Sequence, residues 1–212
     1  MIKVVLCDDH QIVRQGLRQL LLNDKDITVT AEFSSGEDLL HALKTLEADV
    51  ILLDISLPGR SGIDTLHQIK LSLPQLHVLV LSMYPQEQFA IRTIKAGADG
   101  YLHKDSSPQE LSLAIKQIAA GGKYVSPNLM PLLFAEIGAS HQNHPPHLLL
   151  SDREMDVLLK LGQGKRVGEI AQELSLSIKT VSTYKKRILT KLKVNTYNEL
   201  VTYLHAHALL EA

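Results

Sequence analysis

The chain has 212 residues, 45% of them hydrophobic, and a formal net charge of -1. That is enough for one medium domain with a real core plus a smaller second one, and the composition is that of an ordinary globular protein. No stretch approaches the roughly 18 apolar residues of a spanning helix, and the one cysteine, Cys7, excludes an internal disulfide.

The opening Met-Ile-Lys-Val-Val-Leu is too short for a signal-peptide core and runs at once into Asp8-Asp9, so a cytoplasmic protein is expected. Cys7 lies inside a predicted strand and reads as a small core residue rather than a catalytic thiol. The charge is unevenly spread. Residues 1–150 carry 12 Lys and Arg against 16 Asp and Glu, whereas residues 151–212 carry 10 against 7. The carboxyl-terminal part is therefore the candidate for a polyanionic partner.

In chain order, Ile2 to Cys7 is a β-type run that stops at Asp8-Asp9-His10. Gln11 to Leu22 has apolar residues at helical spacing, Ile27 to Phe33 is a second strand, and Gly36 to Leu46 a second helix. Val50-Ile51-Leu52-Leu53 is an unbroken apolar run that ends at Asp54, which predicts a parallel strand buried on both faces with a carboxylate at its end. Gly62 to Leu71 is the third helix, His77 to Leu81 the fourth strand, and Gln86 to Lys95 the fourth helix. Gly100-Tyr101-Leu102 is a short fifth strand, and Pro108 to Ala120 the last helix, with Pro in its first turn and Gly121-Gly122 past its end.

Strict alternation predicts an α/β fold with a doubly wound, five-stranded parallel sheet, for which the order 2-1-3-4-5 is common. In that order Asp8, Asp9 and Asp54 converge at strand ends, where three carboxylates call for a hard cation such as Mg²⁺ or Mn²⁺. Ser82 and Lys104 follow strands four and five and reach the same crevice.

Asp8-Asp9, Asp54, Ser82, Tyr101 and Lys104, with Leu57-Pro58-Gly59 and Gly62 after the central acid, resemble the receiver domain of two-component response regulators. The resemblance covers residues 1–121. It implies that Asp54 is the phosphoacceptor and that Asp9 and Asp54 ligate Mg²⁺, with Asp8 acting through water and the Ser56 carbonyl completing the set. It further implies that Ser82 binds the phosphoryl group, Lys104 neutralises it, and Tyr101 reorients when the site fills. His10 is placed by it at the start of the first helix rather than among the ligands.

Residues 122–147 read as a linker. Within it Pro127 to Ile137 is compatible with a short helix, and the stretch after it, carrying His141, His144 and His147, reads as a solvated, partly polyproline tether. From residue 148 the pattern becomes helical again. Ser151 and Glu154 form a capping box, Val167 to Leu174 is a second helix, Ser175-Leu176-Ser177 a tight turn, and Ile178 to about Lys193 a third helix. Helix, short turn, helix predicts a second, all-α helix-turn-helix domain over residues 148–212.

On a wheel at about 100° per residue, Val181, Ile188 and Leu192 share one stripe of the third helix, opposite a cationic and hydroxylated face. Lys179 to Lys193 holds six basic residues and no acid, as a helix entering a phosphate-lined groove requires. Asn198 to Leu210 is a fourth helix, with Leu200, Val201 and Leu204 available to a dimer partner.

Leu150-Ser151-Asp152-Arg153-Glu154, Ile170-Ala171, Leu174, Lys179-Thr180-Val181 and Lys191-Leu192 resemble the LuxR-type DNA-binding domain. With the receiver, they make the whole chain similar to NarL/FixJ-family response regulators. The match implies that Lys179, Ser182, Thr183, Lys186 and Arg187 contact DNA. Tyr184 stands where the family often has His, and Lys193 where Gly is frequent. The expected protein is a transcription factor and not an enzyme. Its expected partners are a sensor histidine kinase, double-stranded promoter DNA, a second copy on activation and RNA polymerase, with no membrane. The alternative is a phosphorylation-independent DNA-binding regulator whose receiver serves only for dimerisation.

Overall fold

The computed structural model describes residues 1–83, 86–131, 145–207 and 209–210. The chain divides into two compact units, Met1–Ile137 and Gly138–Ala212.

The first unit runs β1 (Ile2–Cys7), α1 (Gln11–Leu22), β2 (Ile27–Phe33), α2 (Gly36–Ala42), β3 (Val50–Asp54), α3 (Gly62–Ser72), β4 (His77–Ser82), α4 (Gln86–Lys95), β5 (Gly100–His103), α5 (Pro108–Ala119) and β6 (Tyr124–Val125). All pairings are parallel and the order is β2-β1-β3-β4-β5-β6. The expected order holds, with a sixth strand of two residues added beside β5. Two residues are too few for periodicity to reveal.

β3 is buried along its whole length, as an apolar strand with helices on both sheet faces must be. Ser35, Ser61 and Ser107 cap α2, α3 and α5 by accepting from the amide three residues on, which fixes where each helix leaves its loop. α2 is shorter than the predicted Gly36 to Leu46. The Thr45 amide and hydroxyl both turn back onto the Ala42 carbonyl, ending the helical ladder there. Gly62 is required by close approach: a Cβ at this position would lie 2.2 Å from the Asp54 carbonyl oxygen, so only glycine lets α3 start against the strand end that carries Asp54.

In the second unit α6 (Asp152–Gly162), α7 (Val167–Glu173), α8 (Ile178–Leu192) and α9 (Tyr197–Ala206) follow a 3-10 turn, Pro146–Leu149. Ser151 and Glu154 make the predicted capping box and Ser177 caps α8. Met155, Leu158, Ile170, Leu174, Val181, Ile188, Leu192, Leu200 and Leu204 form the buried set.

Three expectations are corrected in this unit and the segment before it. Leu200 and Leu204 are fully buried inside the unit, so they are not free for a dimer partner. α9 stops at Ala206, because the His207 amide bonds the Tyr203 carbonyl and the Leu209 amide bonds Leu204, folding a buried Leu209 back onto the unit. His147 is not part of a solvated tether: it is 4% exposed, with Nδ1 3.0 Å from the Tyr203 hydroxyl and its ring against those of Tyr203 and His207. Of the predicted linker helix, Pro127–Leu129 forms a 3-10 turn; its remainder from residue 132, with His141 and His144, lies outside the described residues. No described helix is long and apolar enough to cross a membrane.

Candidate functional site

Parallel register brings the carboxyl ends of β1, β3, β4 and β5 to one edge of the sheet. Cys7 pairs with Leu53, Asp54 with Leu81, and Ser82 with His103, so the residues that end each apolar run are neighbours. Asp8 and Asp54 are each 2% exposed and Ser82 is fully buried. The Lys104 ammonium sits between the two acids, with Nζ 2.6 Å from Asp8 Oδ2 and 2.8 Å from Asp54 Oδ2. Asp54 Oδ1 accepts from the Ser56 amide at 3.0 Å, so both carboxylate oxygens of Asp54 have a fixed direction.

The electrostatics follow from that arrangement. Burial raises the Asp54 carboxyl above the ordinary range, Lys104 opposes this and Asp8 reinforces it. Burial disfavours the Lys104 charge, but Asp54 and Asp8 outweigh it and hold the ammonium protonated. Burial, with Asp54 and Asp8 close by, pushes the Cys7 thiol far up, which agrees with a core role and excludes a thiolate nucleophile.

Asp8, Asp9, His10 and Asp54 each offer a ligand atom within 4.8 Å of the others, the one such group of three or more among the described residues. Asp9 Oδ1 is buried and without a hydrogen-bond partner: His10 Nδ1 lies 2.9 Å away but outside hydrogen-bonding geometry. A buried carboxylate oxygen that receives no hydrogen bond, close to the Asp8 and Asp54 carboxylates, fits a hard divalent cation. His10 stands at the N-cap of α1, as its place in the sequence implies, and beside the acids; sequence reasoning missed Arg14. The Arg14 guanidinium donates to the Asp8 carbonyl and ties α1 to the acid-bearing end of β1. Nothing in the spacing of Arg14 signals that role. Tyr101 is fully buried in β5.

In the second unit α8 buries Val181, Ile188 and Leu192, the predicted stripe. Lys179, Ser182, Thr183, Lys186 and Arg187 are all exposed. Lys191 is also exposed, but its Nζ is engaged by Glu154 Oε2 at 2.6 Å and the Leu149 carbonyl at 3.2 Å. Lys193 closes the helix in the left-handed conformation (φ 57), which explains why glycine suits this place and why a lysine here stands apart.

The profile of the response regulator receiver domain matches residues 4–116, and that of bacterial regulatory proteins of the luxR family residues 148–204. Response regulator UvrY of Escherichia coli (strain K12) is 34% identical over 212 residues, covering 100% of this chain and 97% of that protein. Response regulator GacA of Pseudomonas aeruginosa is 34% identical, covering 100% and 99%. The solved structure of RcsB from Salmonella enterica serovar Typhimurium, bound to promoter rprA in the presence of phosphomimetic BeF3-, is 29% identical with a TM-score of 0.67, covering 96% of this chain and 98% of that one.

Proposed function

The chain belongs to the NarL/FixJ family of two-component response regulators, a receiver joined to a LuxR-type DNA-binding domain, and we propose that phosphorylation of Asp54 controls its binding to promoter DNA. The observation that carries this reading is the convergence of Asp8, Asp9, Asp54 and Lys104 at one sheet edge, with Ser82 on the adjacent strand end. Within the proposal the receiver, expected over 1–121, also takes in β6 (Tyr124–Val125), the DNA reader, expected over 148–212, starts with the Pro146–Leu149 turn, and the linker expected over 122–147 shortens accordingly.

The donor is a phosphohistidine on a sensor kinase. An Asp54 carboxylate oxygen forms the new O–P bond as the P–N bond breaks, and the imidazole nitrogen leaves with the electron pair. Lys104 stabilises the charge that gathers on the phosphoryl oxygens, and the Ser56 amide holds the other Asp54 oxygen so that the nucleophile points one way. Asp9, Asp54 and the Ser56 carbonyl would hold Mg²⁺, or Mn²⁺, with Asp8 acting through water; when bound, that ion supplies further charge neutralisation. Moving a two-state switch from about 1:99 to about 99:1 takes roughly 5.5 kcal/mol. Two new charge-assisted bonds, donated by the Ser82 hydroxyl and the Lys104 ammonium to phosphoryl oxygens at about 1.5–3 kcal/mol each, supply most of it.

Phosphorylation then favours a homodimer, whose two α8 helices read half-sites about one helical turn apart through Lys179, Ser182, Thr183, Lys186 and Arg187. Tyr101, two positions before the His103 that pairs with Ser82, relays the change, and RNA polymerase is the further partner at the promoter. The RcsB structure, with promoter and phosphomimetic together, supports the same pairing of signals here.

The test is DNA binding at fixed salt, with and without acetyl phosphate and Mg²⁺, for wild type and Asp54→Asn. The expected result is donor-dependent tightening that the variant lacks. Equal affinity in all four arms would leave the receiver as a dimerisation scaffold only.

A further inference from the structure

His103 separates Tyr101-Leu102 from Lys104, and its ring does something no backbone pairing does. The β4–β5 ladder ends at Ser82 and His103, and the Lys104 amide then donates to the Ser82 carbonyl at 2.9 Å. One residue further, His103 Nε2 lies 3.1 Å from the Met83 carbonyl, so the side chain extends the strand pairing past its last rung. A carbonyl oxygen can only accept, so Nε2–H is the donor to Met83, while Nδ1 faces Asp105, 3.3 Å from its amide and 3.5 Å from Oδ2.

The Ser82-Met83 segment is therefore clamped at both of its carbonyls by consecutive residues, His103 and Lys104. The Met83 side chain is 55% exposed and supplies no anchor of its own. The His103 side chain is 14% exposed, so the ring itself is held in place, although its bond to Met83 lies at an exposed strand end. The same stretch of β5 that carries the Lys104 ammonium to Asp54 thus fixes the strand end that carries the Ser82 hydroxyl.

We propose that His103 is a positioning residue for phosphoryl transfer: its Nε2–H bond to the Met83 carbonyl holds Ser82 in register with Lys104, so that hydroxyl and ammonium meet the incoming phosphoryl group preorganised. This rests on the reading of Asp54 as phosphoacceptor. Holding polar groups where charge will develop raises the rate of the step rather than the affinity for the donor.

The full-length chain is incubated with acetyl phosphate and Mg²⁺, and phosphoryl incorporation is followed against donor concentration by phosphate-affinity electrophoresis. Wild type, Asp54→Asn, His103→Phe and His103→Gln are compared, the glutamine amide being able to donate from the place of Nε2. His103→Phe is expected to lower the maximal rate about threefold to tenfold, the range one neutral hydrogen bond spans. Half-saturating donor concentration stays at the wild-type value, and His103→Gln restores the rate. A His103→Phe rate equal to or above wild type overturns the proposal. So does a slow rate that glutamine does not restore. If wild type takes up no more phosphoryl than Asp54→Asn, the functional reading itself falls, and the clamp with it.

Discussion

Lys104 and Asp54 are 50 residues apart in sequence and 2.8 Å apart in space, and the same ammonium also reaches Asp8 at 2.6 Å. One cation thus neutralises two carboxylates whose side chains are 3% exposed or less. Removing it leaves two buried like charges facing each other. Lys104→Met should therefore cost the receiver about 3–5 kcal/mol of stability in chelator-treated buffer. Added Mg²⁺ should return part of that loss if, as proposed, it binds among the same oxygens. Thermal unfolding with chelator and then with Mg²⁺ makes the comparison; a midpoint that Lys104→Met does not lower would mean that the acids are relieved in some other way.

The strand ends were legible because an apolar run that stops abruptly marks both a buried strand and its boundary. Asp8, Asp54, Ser82 and Lys104 all stand at such stops, and the parallel register carries them to one edge. Less legible was anything decided by a partner far along the chain. Periodicity in α9 says that Leu200 and Leu204 face something apolar, but not whether that surface belongs to the same chain; the answer is their own unit. His147 looked like one of three linker histidines until Tyr203, 56 positions on, met its ring. The bonds of Arg14 to the Asp8 carbonyl and of His103 to the Met83 carbonyl end on backbone, which carries no sequence signal at all.

At the opposite end of the sheet, Asp99 accepts from Lys70 Nζ at 2.6 Å and from the Val78 amide at 2.9 Å. Burial works against this carboxylate, but Lys70, the Val78 amide and Lys123 outweigh it and hold its pKa below the ordinary carboxylate range. A folded-state pKa below the unfolded one adds stability that is complete above the unfolded value, about pH 3.9, and is lost as pH falls through the folded value. Asp99→Asn keeps an acceptor for Val78 but loses the charge. It should cost about 1–3 kcal/mol at neutral pH, and the gap to wild type should narrow below about pH 4. Denaturant unfolding at pH 7 and at pH 3 reads both numbers, and a gap of the same size at the two would contradict this account of Asp99.

DNA affinity provides a separate check on which lysines of α8 face the nucleic acid. If Lys179, Lys186 and Arg187 each meet a phosphate in both copies of a dimer, log affinity should fall with log salt at a slope of roughly -5. Lys186→Ala removes one contact per copy, so its slope should be shallower by about 2. Lys191 lies on the same helix and carries the same charge, yet its Nζ is bound to Glu154 and the Leu149 carbonyl. Lys191→Met should then leave the salt slope alone and lower the stability of the second unit, since it leaves a Glu154 side chain only 3% exposed with the Ser151 amide but no cation. A salt titration of the three chains on one promoter fragment separates the cases: a slope that changes with Lys191 and not with Lys186 would place the DNA on a different face of α8.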